Sequence, residues 1–234
     1  MTEYSQTAKT VSAELKATAD PERAKNSAWF FKTGPGQYGE GDEFIGVTVP
    51  QQRQVAKKYP SLPLGEVEKL LQSKIHEERL TALIILVGQY KAQDEQHKQY
   101  IYDFYLAHAQ CVNNWDLVDS SASYIVGAHL YDKDRTVLYD LAHSRDLWER
   151  RIAIIATAHF ISQKESQDTL AIAELLLTDS HDLIHKAVGW MLREVGKSCG
   201  QDVLEGFLRT HYGVMPRTML RYAIERFDEP LRQK

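Results

Sequence analysis

The feature that most constrains the fold is a long stretch without proline in which apolar segments recur at a nearly constant interval. No proline occurs between Pro63 and Pro216, and the stretch is rich in Ala, Leu, Glu and Lys, which favours helices. Strongly apolar segments begin 39, 33, 34 and 35 residues apart, near Ile75, Asn114, Leu147, His181 and Pro216. A more polar helix is predicted inside each interval, near Asp94, Arg135, Ser166 and Asp202.

Helix pairs that recur at this interval predict an α-solenoid of HEAT-like helical repeats. Each pair has an apolar stripe that only a neighbouring pair can cover. Alternating strand patterns are confined to a brief run from Phe44 to Val49, so the expected fold class is all-α. We expect a single domain over residues 1–234, in which one row of helices lines a concave groove. An unrelated helical bundle is the alternative.

The composition excludes several classes of protein. Of the 234 residues, 43% are hydrophobic and 26% are charged, as in ordinary globular proteins. No apolar run is long enough for a membrane span, and the first residues lack a signal-peptide pattern. The only cysteines, Cys111 and Cys199, exclude a disulfide framework and fit a reducing cytosol. We therefore expect a cytoplasmic protein, a monomer without contact to membranes.

Motifs for cofactors and metals are missing from the sequence. There is no phosphate-binding Gly-Lys-Ser/Thr loop, no Gly-x-Ser-x-Gly turn and no dinucleotide fingerprint. His181 and His185 are four residues apart, but no third ligand follows at a suitable spacing. The glycine-rich loop at residues 34–42 contains Glu40 and Asp42, which would repel phosphate, so we interpret it as an ordered connector. We expect no cofactor and no metal.

The segment WDLVD at residues 115–119 contains a carboxylate that a plain core helix does not explain. Trp115 and Asp119 are four residues apart, so they share one face of the predicted helix. Asp116 lies near the helix N-terminus, where the helix dipole stabilises an anion. Asp119 has no such explanation, and beside an indole we expect it to be partly desolvated and unpaired until a cation arrives. An exposed aspartate on a solvated face is the alternative.

The segment WERR at residues 148–151 places an arginine on an apolar stripe. The stripe runs through Trp148, Ile152 and Ile155, and Arg151 lies three residues after the tryptophan. A guanidinium at such a position must be paired or must face a groove. Arg151 therefore forms an internal ion pair with a carboxylate or contacts a phosphate, and the two roles are compatible.

The predicted helix over residues 181–197 carries two stripes. The apolar stripe consists of Ile184, Ala187, Val188, Met191 and Val195. The basic stripe has one embedded aromatic and consists of Lys186, Trp190, Arg193 and Lys197. Such a stripe can hold phosphates while the tryptophan contacts a base or sugar, although a solvated charged face is the alternative. Gly189 within the helix indicates close packing or the close approach of a ligand.

Positive charge is concentrated near the C-terminal end, although the whole chain has a net charge of −4. Between Lys186 and Arg226 there are seven basic and four acidic residues. Arg217 and Arg221 belong to this segment. Such a local asymmetry is typical of a binding face.

Three segments together resemble the AlkD-type DNA alkylation repair proteins, which are HEAT-like-repeat DNA glycosylases that remove alkylated purines. The segments are WDLVD at 115–119, WERR at 148–151 with the Ala/Ile run that follows it, and KAVGWMLRE at 186–194. The resemblance spans nearly the whole chain. The loop at residues 34–42 is longer than in the best-known members, which indicates a different branch of the family.

The resemblance implies a role for individual residues. Asp119 corresponds to the catalytic carboxylate, Trp115 and Trp190 to the two tryptophans that flank the lesion, and Arg151 to the arginine beside the carboxylate. Phe30 falls roughly where the best-known members have a tyrosine near the DNA. The residues expected to contact DNA in the groove are Lys186, Arg193, Lys197, Arg150, Arg217, Arg221 and Phe30.

The resemblance also implies an activity, which is hydrolysis of the N-glycosidic bond of N3- or N7-alkylated purines in double-stranded DNA, as in base excision repair. These purines are already cationic and leave without being protonated, so a single carboxylate can suffice where other glycoside hydrolases use two. A nucleoid-associated location follows. A DNA-binding scaffold without catalysis and a protein-interaction solenoid are the alternatives.

Overall fold

The computed structural model describes residues 6–229, which divide into two compact units, one ending at Ser121 and the other beginning at Ala122. Both units are helical, and the only β feature among the described residues is an isolated parallel bridge between Glu43 and Ile75. The predicted all-α class is therefore confirmed. Among these residues no helix is both long and apolar enough to span a bilayer.

The first unit contains seven α-helices: α1 Ala8–Lys16, α2 Pro21–Phe30, α3 Val49–Ala56, α4 Leu64–Leu71, α5 His76–Ala92, α6 Glu95–Ala107 and α7 Trp115–Asp119. Side-chain caps begin several of these helices, and Asp20 accepts hydrogen bonds from the first turn of α2. The central helix is α5, which packs against α1, α3, α4, α6 and α7. Its long run of buried residues explains why its apolar surface is not confined to one stripe.

The second unit begins with a π-helical turn, Ser123–Gly127, and continues through eight helices: α8 Ala128–Leu130, α9 Thr136–Ala142, α10 Leu147–Ala156, α11 Ala158–Ser162, α12 Gln167–Leu175, α13 Asp182–Ser198, α14 Gln201–His211 and α15 Arg217–Ala223. The longest of them, α13, packs against α10, α11, α12, α14 and α15. Its predicted apolar stripe from Ile184 to Val195 is completely buried.

The predicted recurrence of helices is confirmed. The five apolar helices α5, α7, α10, α13 and α15 begin at the predicted residue or at the one after it. The polar helices α6, α9, α12 and α14 lie in the intervals between them. Consecutive helix pairs of this kind are the repeating element of an α-solenoid. The concave groove stays a prediction.

Gly189 shows the close packing that its position in the sequence indicates. A Cβ atom at this residue would lie 2.5 Å from the carbonyl oxygen of Met219 and 2.6 Å from Cβ of Tyr222. Glycine therefore allows the backbone of α13 to approach α15 at the residue before Trp190. Burial of Met219 and Ala223 on α15 completes this contact.

Candidate functional site

Helix α7 is short and is held at both ends by side chains of its own unit. Asn114 caps it, with Oδ1 accepting a hydrogen bond from the backbone N–H of Trp115 at 2.8 Å. Leu117 and Val118 are fully buried, whereas Trp115 and Asp119 are half-buried on the opposite side. The helix ends at Asp119. The carboxylate therefore lies in the last turn, where the helix dipole does not stabilise an anion.

A hydrogen-bond chain fixes the turn that follows Asp119. Ser121 Oγ lies 2.6 Å from the carbonyl oxygen of Leu117, to which it donates, and 2.9 Å from the hydroxyl of Tyr105. Because the serine has a single proton, the tyrosine hydroxyl donates to it. Burial and, to a smaller extent, the charge of Asp119 raise the pKa of Tyr105. The acid is therefore close enough to Tyr105 to act on its titration.

Asp119 is not an unpaired carboxylate in this structure. It is half-buried and has an interaction partner. The expectation that it stays unpaired until a cation arrives is wrong, because a partly desolvated carboxylate gains most from a partner inside the protein. Partial burial of Asp119 is the part of the expectation that holds.

An aromatic cluster surrounds Trp115. The ring of Phe31 stacks on its indole, with centroids 5.2 Å apart and an interplanar angle of 15°. Phe44 stacks on Phe31 with ring centroids 5.1 Å apart, and the ring of His76 lies tilted against Phe31 at 4.9 Å. Phe30 meets the indole edge-on at 6.0 Å and is 56% exposed. The structure thus brings Phe30, a predicted DNA contact, to Trp115, and it leaves one face of the indole without a stacked ring from this cluster.

A buried polar network lies behind the aromatic cluster. His76 Nδ1 is 3.2 Å from Asp42 Oδ2, and His76 Nε2 is 2.8 Å from Asp116 Oδ2. Arg79 donates to the other oxygen of Asp42 at 2.6 Å, and Asn114 donates to Asp42 at 3.3 Å. The sequence suggested that Asp116 stabilises the helix N-terminus and that Asp42 lies in a connecting loop. In the structure both carboxylates are bound to His76.

Opposing effects set the pKa values in this network. Burial lowers the pKa of His76, but the charge of Asp116 and the hydrogen bonds to both carboxylates outweigh it, so the pKa is raised. Burial likewise raises the pKa of Asp42, but His76 and Arg79 outweigh it, so the pKa is lowered. Both shifts favour the ionised forms of the pair.

In the second unit, Arg151 is part of the buried surface of α10. Its side chain is 4% exposed, and Nη1 donates to the carbonyl oxygen of Leu183 in the first turn of α13, at 2.5 Å. The neighbouring Arg150 donates to Asp179 at 2.6 Å and to the backbone carbonyls of Ser144 and Arg145. Both guanidinium groups therefore link α10 to neighbouring segments of the unit. That they also contact DNA stays a prediction.

The basic stripe of α13 is partly neutralised by neighbouring acids. Lys186 pairs with Asp182 at 2.7 Å, and Lys197 pairs with Glu194 at 3.5 Å. Arg193 contacts Glu194 at 3.4 Å and pairs with Glu225, which follows α15. Such surface pairs are weak and can exchange for phosphate contacts. Trp190, in the middle of the stripe, is half-buried.

The two predicted arginines of α15 differ from the stripe, because both side chains are exposed. Arg217 and Arg221 have no ion-pair partner among residues 6–229, and the guanidinium of Arg221 lies 5.8 Å from the ring of Tyr222. They are the predicted DNA contacts whose charge is most available to an anionic ligand.

Histidines at the start of α13 have structural roles. The N-cap of α13 is His181, whose Nδ1 accepts a hydrogen bond from the backbone N–H of Leu183. Asp179 accepts from the backbone of His181, and His185 contacts the carbonyl oxygen of Asp179. Among the described residues no group of three His, Cys, Asp or Glu side chains is placed to hold a metal ion.

Four residues of the first unit that support the site were not predicted as site residues: Phe31, Asp42, Phe44 and His76. Their side chains follow no helical periodicity, and three of them lie in or beside the segment interpreted as a connector. The one usable signal was the pair of aromatic residues that flank the glycine-rich loop, at positions 31 and 44.

Comparisons with known proteins agree with the predicted fold class and with the resemblance to a DNA alkylation repair family. The family model described as "DNA alkylation repair enzyme" matches residues 11–227. A solved structure, described as a predicted DNA alkylation repair enzyme from Enterococcus faecalis, has a TM-score of 0.70 at 17% identity, over 90% of this chain and 97% of that one. This likeness confirms the fold class. No curated protein matches the sequence. The chain belongs to the DNA alkylation repair enzyme family.

Proposed function

We propose that the protein is a monofunctional DNA glycosylase that releases N3- and N7-alkylated purines from double-stranded DNA. Its family supports a role in the repair of alkylated DNA. The observation that carries the finer proposal is the pairing on α7 of a half-buried carboxylate, Asp119, with a half-buried indole, Trp115, one turn apart. An alkylated purine is an aromatic cation. A carboxylate attracts its positive charge, and an indole binds its ring by stacking and cation–π attraction.

In this mechanism, Asp119 acts on the sugar of the lesion. As the N-glycosidic bond breaks, positive charge grows on the deoxyribose, and an ionised carboxylate nearby lowers the energy of that state. The same carboxylate orients the attacking water. The bond's electron pair leaves with the purine, whose positive charge is thereby neutralised, so no acid is needed for the leaving group.

The aromatic cluster supplies binding energy for a cationic base. Phe31 stacks on one face of the Trp115 indole, and we propose that the cationic base binds at the other face. Cation–π attraction at such a face contributes on the order of 0.5–2 kcal/mol. In the second unit, Trp190 offers a half-buried indole next to Lys186 and Arg193, which fits contact with a sugar and its phosphates.

The alternative is a DNA-binding scaffold without catalysis. The exposed arginines Arg217 and Arg221 favour it as much as they favour an enzyme, since they contribute affinity for any DNA. The two functions differ in one product only, which is free alkylated base.

The test compares three proteins on methylated duplex DNA: the parent, Asp119→Asn, and the exposed-surface control Asp140→Asn. We expect the parent and the control to release 7-methylguanine, measured by chromatography, and Asp119→Asn to be slower by on the order of 100-fold with unchanged affinity for DNA. Binding without release by the parent would favour the scaffold. Release by Asp119→Asn at the parent rate would refute the mechanism.

A further inference from the structure

Three segments of the first unit meet at the imidazole of His76. The glycine-rich loop ends in Asp42, which contacts Nδ1, and α7 provides Asp116, which contacts Nε2. The histidine itself is the first residue of α5. A single side chain thus connects the loop, the central helix and the short helix that carries Trp115 and Asp119.

With both acids ionised, the geometry fits a doubly protonated imidazole. A carboxylate can only accept hydrogen bonds, and a neutral imidazole has one N–H, so it can satisfy only one of the two acids. An imidazolium donates to both. With Arg79 bound to Asp42, the buried group then has two positive and two negative charges, whereas loss of the histidine proton leaves an excess negative charge.

The charged groups that act most strongly on His76 are Asp116 from α7, Asp42 from the loop and Arg79 from α5. The rings of Phe31 and Phe44 cover the imidazole, with centroids 4.9 Å and 4.6 Å away. The histidine side chain is 2% exposed. Solvent screening is therefore weak, and the protonation of His76 acts strongly on the two carboxylates.

The loop is shaped to bring Asp42 to this position. A Cβ atom at Gly39 would lie 2.4 Å from the carbonyl oxygen of Phe31, so only glycine permits the loop to fold back on the end of α2. The backbone N–H of Gly39 donates to Lys32 at 3.2 Å. The turn holds Phe31 against Trp115 and Asp42 against His76 at the same time.

We infer that His76 is a positioning residue: its imidazolium, held between Asp42 and Asp116, fixes α7 and thereby the placement of Trp115 and Asp119. The part of this inference that concerns base release rests on the proposed function, and the part that concerns the position of α7 does not. The glycine-rich loop is then a support for the site rather than a simple connector.

The first test follows Trp115 without using activity. The full chain is labelled with 5-fluorotryptophan, and the fluorine signal of Trp115 is assigned with Trp115→Phe. We expect this signal to shift with pH at the midpoint of His76, measured by imidazole NMR, and to lose the shift in His76→Gln. A signal that is indifferent to pH in the parent, or that titrates unchanged in His76→Gln, would overturn the inference.

Two further variants keep the test decisive. Asp116→Asn leaves His76 and Asp42 in place but weakens the bond to α7, so the Trp115 signal should lose its pH shift even if His76→Gln is too unstable to study. Glu78→Gln is the control, because this buried acid of α5 contacts Ser12 and Lys16 of α1 instead. It should keep the shift at the parent midpoint.

The second test measures base release against pH. In His76→Gln we expect kcat to fall on the order of 10–100-fold with KM for DNA nearly unchanged, because misplacement of the catalytic group affects the chemical step. The parent should lose kcat above the His76 midpoint, whereas the variant should be low at every pH. If the fluorine signal of Trp115 shifts with pH as expected but the parent releases no base, the glycosylase proposal alone is refuted. If the parent and His76→Gln both release base and kcat depends on pH identically in the two proteins, the role of His76 alone is refuted.

Discussion

The contact between α13 and α15 at Gly189 gives a sharp prediction about stability. In an exposed helix, replacing glycine by alanine stabilises a protein by about 1 kcal/mol. At Gly189, however, the new Cβ would lie 2.5 Å from a backbone oxygen of Met219 and 2.6 Å from Cβ of Tyr222. Neither atom is the end of a flexible side chain, so relief requires the two helices to separate.

The cost follows from the size of this separation. Ordinary contacts begin near 3.4 Å, so α13 and α15 must move apart by about 0.9 Å at this point. Overpacking of this kind costs about 1–3 kcal/mol, and a gap approaching 1 Å forfeits a quarter to a half of the dispersion energy of the neighbouring contacts. The upper part of that range outweighs the gain in helix propensity. We expect Gly189→Ala to destabilise the protein by about 1–2 kcal/mol.

Gly206 of α14 is the matched control, because no atom lies within 4 Å of a Cβ built there. Gly206→Ala should therefore stabilise the protein by up to about 1 kcal/mol. Urea unfolding of the three proteins measures both changes, with equal m-values expected. If Gly189→Ala is as stable as Gly206→Ala, the close approach of α15 to α13 is not a constraint and the reasoning fails.

Two further predictions concern charge. Replacing both Arg217 and Arg221 by Gln should reduce the slope of log affinity against log salt by roughly 2, about 0.9 for each lost phosphate contact, in binding assays on undamaged duplex DNA. An unchanged slope would exclude these arginines as phosphate contacts. The raised pKa of His76 contributes stability that is complete below its ordinary value near 6.5 and is lost as the pH rises through the raised value. Urea midpoints of the parent should fall as the pH rises above 6.5 and through the raised pKa, and those of His76→Gln should lack this fall.

The position of α13 could be predicted from the sequence because burial of one side imposes a helical period on it, whereas α5 was recognisable as an apolar segment that is buried on more than one side. Ile184, Val188, Met191 and Val195 recur at the helical interval and are all buried in α13. The lack of proline between residues 63 and 216 indicated the same class. Patterns among neighbouring residues sufficed to predict these helices, because the helices pack against segments that are close in the chain.

The support of the candidate site could not be predicted in this way. His76 lies 34 residues from Asp42 and 40 residues from Asp116, so no local pattern relates them. Each charged side chain was also compatible with a simpler role, such as a helix dipole partner for Asp116. Pairing of this kind appears only when three segments are brought together by the fold.

The shortness of α7 explains why such support is needed. A helix of five residues is far below the length at which a helix is stable by itself, so tertiary contacts must hold it. Leu117 and Val118 anchor its inner side by burial, Asp116 ties its start to His76, and the chain from Leu117 through Ser121 to Tyr105 ties its end.

Within the segment WDLVD, Asp116, Leu117 and Val118 thus hold the helix and thereby fix the placement of Trp115 and Asp119. Substitutions among these three residues should therefore change activity indirectly, by displacing the indole and the carboxylate. Among residues 6–229, the hydrogen-bond and ion-pair partner of Asp116 outside α7 is His76, so replacement by Asn should move α7 with little loss of buried apolar surface, and this separates placement from stability. A variant such as Leu117→Ala changes both at once, because it also leaves a cavity.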